Sequence, residues 1–184
     1  MTIYFGADLH LEHRNILNFC DRPYETVKQM TEHLLCDFEE TVEPGDIVYL
    51  LGDIQFCSHL DHIDRLTGIR NVDVHLIIGN HDSNKVQKHP GWATVSHYKD
   101  LKIDGKKVVL SHFPFECWYG REHGNYHFHG HTHNNASHSL NFLPNRLDVG
   151  YDKTRKVLVT FDEALDLMRK DRNFNEAVRT YTDE

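Results

Sequence analysis

Apolar positions along this chain follow two rhythms. The opening "TIYFGADLH" is a short apolar run, Ile3 to Phe5, that passes into polar residues and reads as a strand. In "ETVKQMTEHLLCDFEETV", Val27, Met30, Leu34 and Phe38 recur at three- and four-residue spacing, which predicts a helix with one core-facing side and a solvated acidic side from Glu32 to Glu40. "EPG" at Glu43 to Gly45 breaks it. "DIVYLLGDI" is continuously apolar, as expected of a strand covered on both faces. "HLDHIDRLTG" predicts a short helix stopped at Gly68, and "VHLIIGNHD" another strand. "LKIDGKKVVLSH" reads as a hairpin turned at "DGK". "NYHFHGHTH", "NRLDVGYD" and "KVLVTF" are three further strand-like pieces, and "FDEALDLMRKDRN" is a helix with Asp162 as its cap. Strand and helix alternate at first, and then strands dominate. That order predicts a layered α/β protein with a mixed sheet or two stacked sheets.

Composition narrows the class. A chain of 184 residues, 39% hydrophobic and 26% charged, is expected to form one globular domain over residues 1–184. No apolar run approaches the roughly 20 residues that cross a bilayer. "MTIYFGADLH" has neither a basic leader region nor a cleavage pattern, so a cytoplasmic location is expected. Cys20, Cys36, Cys57 and Cys117 show no CxxC spacing and are expected as reduced thiols. A net charge of -8 argues against extended nucleic acid as a partner. It leaves room for a small anion held by metal ions.

Histidine changes the picture most. There are 16, and half lie between His97 and His138. Several stand where apolar runs end. The first run delivers Asp8 and His10, the second Asp53, the third Asn80 and His81, the fourth His112, and the fifth His131 and His133. Ligands bind at the carboxyl ends of strands in open α/β sheets. Leaving His81 aside, two carboxylates, one amide and four imidazoles exceed what one tetrahedral ion needs. They suit two ions sharing a ligand. Asp53 is the natural bridge, because it stands alone on its strand. Mixed nitrogen and oxygen donors favour manganese, iron, zinc, cobalt or nickel over calcium or magnesium.

"DLH", "GD", "GNHD", "SH" and "GHTH", in this order, resemble the calcineurin-like metallophosphoesterases. The opening "DLHLEHRNI", with His13 and Asn15, is similar to a small phage and bacterial branch. The resemblance covers about residues 3–152 and leaves a strand and helix in 153–184 beyond it. It implies two stacked mixed sheets flanked by helices, a four-layer sandwich with a dinuclear site at the strand ends. By motif, Asp8, His10 and His133 would hold one metal, and Asn80, His112 and His131 the other. Asp53 would bridge them. His81 would face the substrate, with Asp82 orienting its ring.

The chemistry expected of such a site is phosphate-ester hydrolysis. Two divalent ions, manganese foremost, would share a water, lower its pKa and turn it on phosphorus. An imidazole can protonate the leaving alkoxide at neutral pH, and His81 is the expected donor. His13, Asn80 and His81 are the expected substrate contacts. Arg14, Arg22 and Arg146 could each clamp phosphate, but a single arginine is more often a solvated surface group, and that is the expectation for each. His127 and His129, alternating with Tyr126 and Phe128, are expected to pack. Trp118 and Tyr119 could pack at the rim or stack on a base. The substrate class is a small phosphodiester of nucleotide type. A phosphomonoesterase, a nuclease and a non-catalytic metal-binding scaffold are the alternatives. "HTHNNASH" lacks the aspartate of an HxHxDH hydrolase, and the "HD" at His81 and Asp82 follows a strand, whereas an HD-domain enzyme carries it on helices.

Overall fold

The computed structural model describes residues 1–135 and 143–182, with side chains up to Asp171. In chain order the elements are β1 (Ile3–Gly6), α1 (Ile16–Phe19), α2 (Val27–Thr41), β2 (Ile47–Leu50), α3 (Asp61–Thr67), β3 (Asp73–Ile77), α4 (Asn84–Gln87) and β4 (Thr94–Ser96). Then come β5 (Tyr98–Ile103), β6 (Lys106–Ser111), β7 (Tyr126–His129), β8 (Arg146–Asp148), α5 (Tyr151–Thr154), β9 (Val159–Thr160) and α6 (Phe161–Thr182). The first sheet runs β4-β3-β2-β1-β9, parallel except for β9. The second runs β5-β6-β7-β8; β5 and β6 form a hairpin and the other pairs are parallel. The hairpin closes on Asp104 and Gly105, both at positive φ (48° and 82°), as a two-residue primed turn requires.

The two sheets stack face to face. Phe5, Tyr49, Leu51 and Ile77 of the first meet Val108, Leu110, Phe128 and Leu147 of the second. Phe5 meets Phe128 edge to face, with ring centroids 5.0 Å apart. Phe161, Ala164 and Leu165 of α6 join the same core. On the other face of the first sheet, Val48, Leu50, Val74 and Leu76 lie under Leu34 and Phe38 of α2 and Ile63 and Leu66 of α3. Alternate residues of the β2 run therefore enter different cores, which is why that run shows no polar alternation. Truncating one of these fully buried leucines would cost about 2–5 kcal/mol.

The outer face of the second sheet is covered partly by a loop. Phe115 stacks on His127 with centroids 5.1 Å apart, and Trp118 packs beside it. Trp118 is buried and its indole N–H donates to the Asn125 carbonyl, so it packs and offers no face to a base. The start of α6 differs from expectation. Thr160 is the cap: Glu163 N–H donates to Thr160 Oγ1, and Thr160 N–H donates to Glu163 Oε2. This reciprocal box places Asp162 inside the first turn. Among the described residues, no helix is long and apolar enough to cross a membrane.

Candidate metal centre

Five of the seven proposed ligands sit in left-handed backbone: Asp8 (φ 56°), His10 (51°), Asp53 (56°), His131 (70°) and His133 (49°). Each such turn is unfavourable for a side-chain-bearing residue, and such residues cluster where function demands an abrupt change of direction. The turns brace one another. Asp8 N–H donates to Gly52 O (3.0 Å) and His10 N–H to Asp53 O (3.0 Å). The glycine of "GNHD" serves the same packing. A Cβ on Gly79 would lie 2.3 Å from Asp53 Oδ1, so only glycine lets the two turns close on each other.

Two clusters result. One ligand atom each from Asp8, His10 and His133 lie within 4.8 Å of one another, and so do those of Asp53, His112 and His131. Asp53 Oδ2 links them, 3.7 Å from His10 Nε2 and 3.5 Å from His112 Nε2. Asn80 Oδ1 lies 2.9 Å from His112 Nε2. The seven side chains that sequence nominated are therefore brought together. His13 is beside them, its Nδ1 3.2 Å from His10 Nδ1. His81 is exposed, its ring 5.9 Å from that of His10 and its backbone N–H donating to Asp53 Oδ1.

The donor set fits divalent cations. Asp8 Oδ1 and His10 Nε2 are buried, and neither has a hydrogen-bond partner. Orphaned polar atoms of this kind are costly and rare. Burial, followed by the charges of Asp148 and Asp53, raises the Asp8 pKa well above the usual carboxylate range. Burial, then His133, pushes His10 far below the normal imidazole value, so its lone pair stays free. Burial and His112 likewise lower His131. His112 Nδ1–H donates to the Leu51 carbonyl (2.7 Å), which leaves Nε2 as an acceptor. Two acceptors, His112 Nε2 and Asn80 Oδ1, then face each other. In six-coordinate geometry, with right angles between neighbouring donors, bonds of about 2.0–2.1 Å to a shared ion would hold them roughly 2.9 Å apart. Nitrogen and oxygen donors without sulfur in either core cluster suit a first-row transition ion.

Three supporting residues were not nominated as such. Asp152 Oδ2 accepts from His133 Nδ1 (2.7 Å), which leaves His133 Nε2 for a metal. Arg22 grips Asp152 through Nε (2.9 Å) and Nη2 (2.8 Å), and also donates to the carbonyls of Asp8 and Leu9. Burial works to raise the Asp152 pKa, but the bonds from His133 and Arg22 win and hold it low. Asp148 accepts from Thr132 Oγ1 and from Gly150 N–H, fixing the "GHTH" turn. Asp148 and Asp152 close a sixth strand-end segment, "DVGYD", and the strand-end rule applied to the first five would have reached them.

One expectation is corrected, and two candidate clamps are set aside. Asp82 does not orient the His81 ring. Its buried carboxylate accepts backbone N–H groups of Asp53, Ile54 and Gly79, tying the turns after β2 and β3 together. Arg22 is no phosphate clamp, because its guanidinium is committed beneath the site. Arg146 lies on the outer face of the second sheet and donates to Phe115 O, away from the centre. Arg14 is exposed. Two partly exposed aromatics at the rim had no part in the sequence reading. Phe56 stacks on His13 (3.8 Å, 9°), and Phe113 lies edge-on to His131 (4.6 Å).

No family model matches the chain. It is 28% identical over 183 residues to uncharacterized protein MJ1445 of Methanocaldococcus jannaschii, covering 98% of this chain and 97% of that protein. It is 28% identical over 198 residues to the Gene 66 protein of Mycobacterium phage D29, covering 91% of this chain and 96% of that one. Among solved structures, AQ665 of Aquifex aeolicus, a protein of unknown function, superposes with a TM-score of 0.73 at 22% identity, over 90% of this chain and 98% of that one. That likeness shows a shared fold and carries no statement about activity.

Proposed function

We propose that this chain is a dinuclear metal-dependent phosphoesterase of the calcineurin-like type that hydrolyses small nucleotide-type phosphodiesters. The observation that carries the reading is the position of Asp53 Oδ2 between His10 of one Asp/His cluster and His112 of the other. Asp8, His10 and His133 would hold one divalent ion, with manganese the first choice. Asn80, His112 and His131 would hold the second, and Asp53 both. Bound there, the ions would supply Lewis acidity toward phosphoryl oxygens and a water acidic enough to react at neutral pH.

The chain's own groups supply the rest. Asp152, anchored by Arg22, fixes the His133 ring, and the Leu51 carbonyl fixes His112. His13, sandwiched against Phe56 beside His10, offers a ring nitrogen to a phosphoryl oxygen. His81 stands at the mouth, tethered through its backbone to Asp53, where its ring can deliver a proton to the departing oxygen. Phe56 and Phe113, 38% and 46% exposed, give the rim two apolar faces for a base or sugar.

The test is a substrate panel. Purified protein, stripped of metal and reloaded with manganese, nickel or zinc, is assayed on bis-p-nitrophenyl phosphate, p-nitrophenyl phosphate, cyclic nucleotides, dinucleotides and single-stranded oligonucleotides. Diester turnover that chelation removes and metal restores is expected. Faster monoester turnover would make it a phosphomonoesterase, and metal-loaded protein with no turnover on any substrate would make it a scaffold.

A further inference from the structure

A second cluster of metal-competent side chains lies outside the centre described above. The segment "CSHLDH" runs from the loop after β2 into α3 and carries Cys57, His59 and His62. One ligand atom from each lies within 4.8 Å of the others. The two imidazoles meet at a ring-centroid distance of 4.8 Å. Zinc bonds of about 2.3 Å to sulfur and 2.0–2.1 Å to nitrogen set one sulfur and two nitrogens, in tetrahedral geometry, roughly 3.3–3.6 Å apart. The three donors are thus within small side-chain rotations of a ligating arrangement.

The surroundings of His62 Nε2 add to this geometry. His62 Nε2 is buried and has no hydrogen-bond partner. Glu12 Oε1 stands 3.5 Å from that same nitrogen, longer than the 2.7–3.2 Å of a formed hydrogen bond. A carboxylate oxygen at ion-pair distance from an imidazole nitrogen places two donors where one cation can take both. The loop is also held in place by its own anchor. The side chain of Gln55, itself 3% exposed, donates through Nε2 to the carbonyls of Cys57 (3.2 Å) and His59 (2.6 Å), fixing the backbone on which two of the donors stand. Glu12 adopts positive φ (62°) with its N–H on Thr31 Oγ1, so the backbone that carries the fourth donor is fixed as well.

We propose that Cys57, His59, His62 and Glu12 form a separate binding site for one zinc-like, thiophilic divalent ion. Three donors are clustered already and Glu12, 3.5 Å from His62 Nε2, is the fourth within reach; a sphere closed by four protein donors is the mark of a structural rather than a catalytic site. Cys57 binds as thiolate and its proton passes to solvent. The ion ties the turn after β1, which carries His10, Glu12 and His13, to the loop after β2, which carries Asp53, Phe56 and Cys57. Its consequence is the fixed stacking of Phe56 on His13 at the mouth of the main centre.

The probe is cobalt(II), whose bond to thiolate gives charge-transfer absorption in the near ultraviolet. The proposed ligands of the main centre contribute only nitrogen and oxygen, but Cys20 lies in reach of His133 and Asp152, so it supplies the control. Full-length protein titrated with cobalt should develop the band to saturation at one thiolate-bound cobalt per chain. Cys57→Ser should abolish it and Cys20→Ser should retain it. No band in the wild type, or a band lost in Cys20→Ser and kept in Cys57→Ser, would overturn the proposal. A second readout uses unaltered protein and so is independent of any change that Cys57→Ser makes to the loop. Zinc should slow alkylation of Cys57, followed by peptide mass, roughly tenfold or more, since the thiolate is both nucleophile and ligand. Equal alkylation with zinc and with chelator would also overturn it. Neither readout depends on phosphoesterase activity.

Discussion

"HFHGHTH" places four imidazoles at every second position, yet the first pair and the second pair lead different lives. His127 and His129 stay in β7, where Phe128 between them faces the inter-sheet core. His127 has both ring nitrogens occupied: Nδ1–H donates to Val109 O (3.1 Å), and Nε2 accepts from Phe115 N–H (3.0 Å). Its chemistry is spent on packing the outer face. Beyond Gly130 the backbone leaves the sheet, and His131 and His133 turn left-handed toward the carboxylates. His133 has Nδ1 committed to Asp152, while its other nitrogen faces the cluster of Asp8 and His10. The difference lies in what meets the second nitrogen. A protein partner there makes a histidine structural; carboxylates and further lone pairs there make it a ligand.

The most severe way to break that comparison is Asp53→Asn. Asp53 faces both clusters, so the loss should exceed the 10–100-fold penalty typical of an outer-shell partner, with both ions released on dilution. Elemental analysis reads it, with His13→Ala expected to keep both ions. Two bound ions in Asp53→Asn would remove the bridging role. Next in size is His81→Ala, which should keep its metals. It should lose about 10²–10⁴-fold on a nucleotide diester, whose alkoxide needs a proton. On bis-p-nitrophenyl phosphate, whose leaving group is a weak base, the loss should be slight. Equal losses on both substrates would show that the ring positions phosphate and protonates nothing.

Asp152→Asn is a milder cut and tests the anchor that separates His133 from His127. Removing the charge frees the imidazole and leaves Arg22 short of its partner. About 10–100-fold weaker metal binding is expected, by titration of metal-free protein. Unchanged affinity would mean that the ring needs no carboxylate behind it.

What could be read from sequence follows the same divide. Ligands at strand ends were legible because a polar side chain that interrupts an apolar run is visible locally. The two-core packing was legible in Val27, Met30, Leu34 and Phe38 and in the unbroken β2 run. The partner of a ligand was not. Arg22 meets Asp152 across 130 positions of chain, and no local pattern announces a contact that only topology creates. Asp82 was misread because the direction of its carboxylate depends on how two turns nest, which Gly79 permits but does not advertise. Thr160 and Asp162 both have cap chemistry, and only Glu163, three residues beyond Thr160, distinguishes them. The strand β4 escaped because its three residues lie at a sheet edge, largely exposed and without apolar rhythm.

The smallest effect belongs to the structural member of the comparison. Burial, then the neighbouring His129, pushes the His127 pKa down to about 3. Protonating Nε2 would also break its bond from Phe115 N–H. The unfolded chain, with an ordinary imidazole near 6.5, takes up a proton that the folded chain refuses. Stability from His127 is therefore whole above pH 6.5 and is lost as pH falls toward 3. Between pH 7 and 5.5 this one group should cost the wild type roughly 1 kcal/mol. His127→Gln removes the titration. Urea unfolding of metal-free protein at the two pH values should show the variant less sensitive to acid by that amount, although other buried histidines still contribute to both proteins. Its metal content at pH 7 should match the wild type. An identical acid response in the two proteins would mean that His127 is not held neutral by the fold. Lost metal in His127→Gln would mean that the two pairs in "HFHGHTH" are less separate than their hydrogen bonds make them.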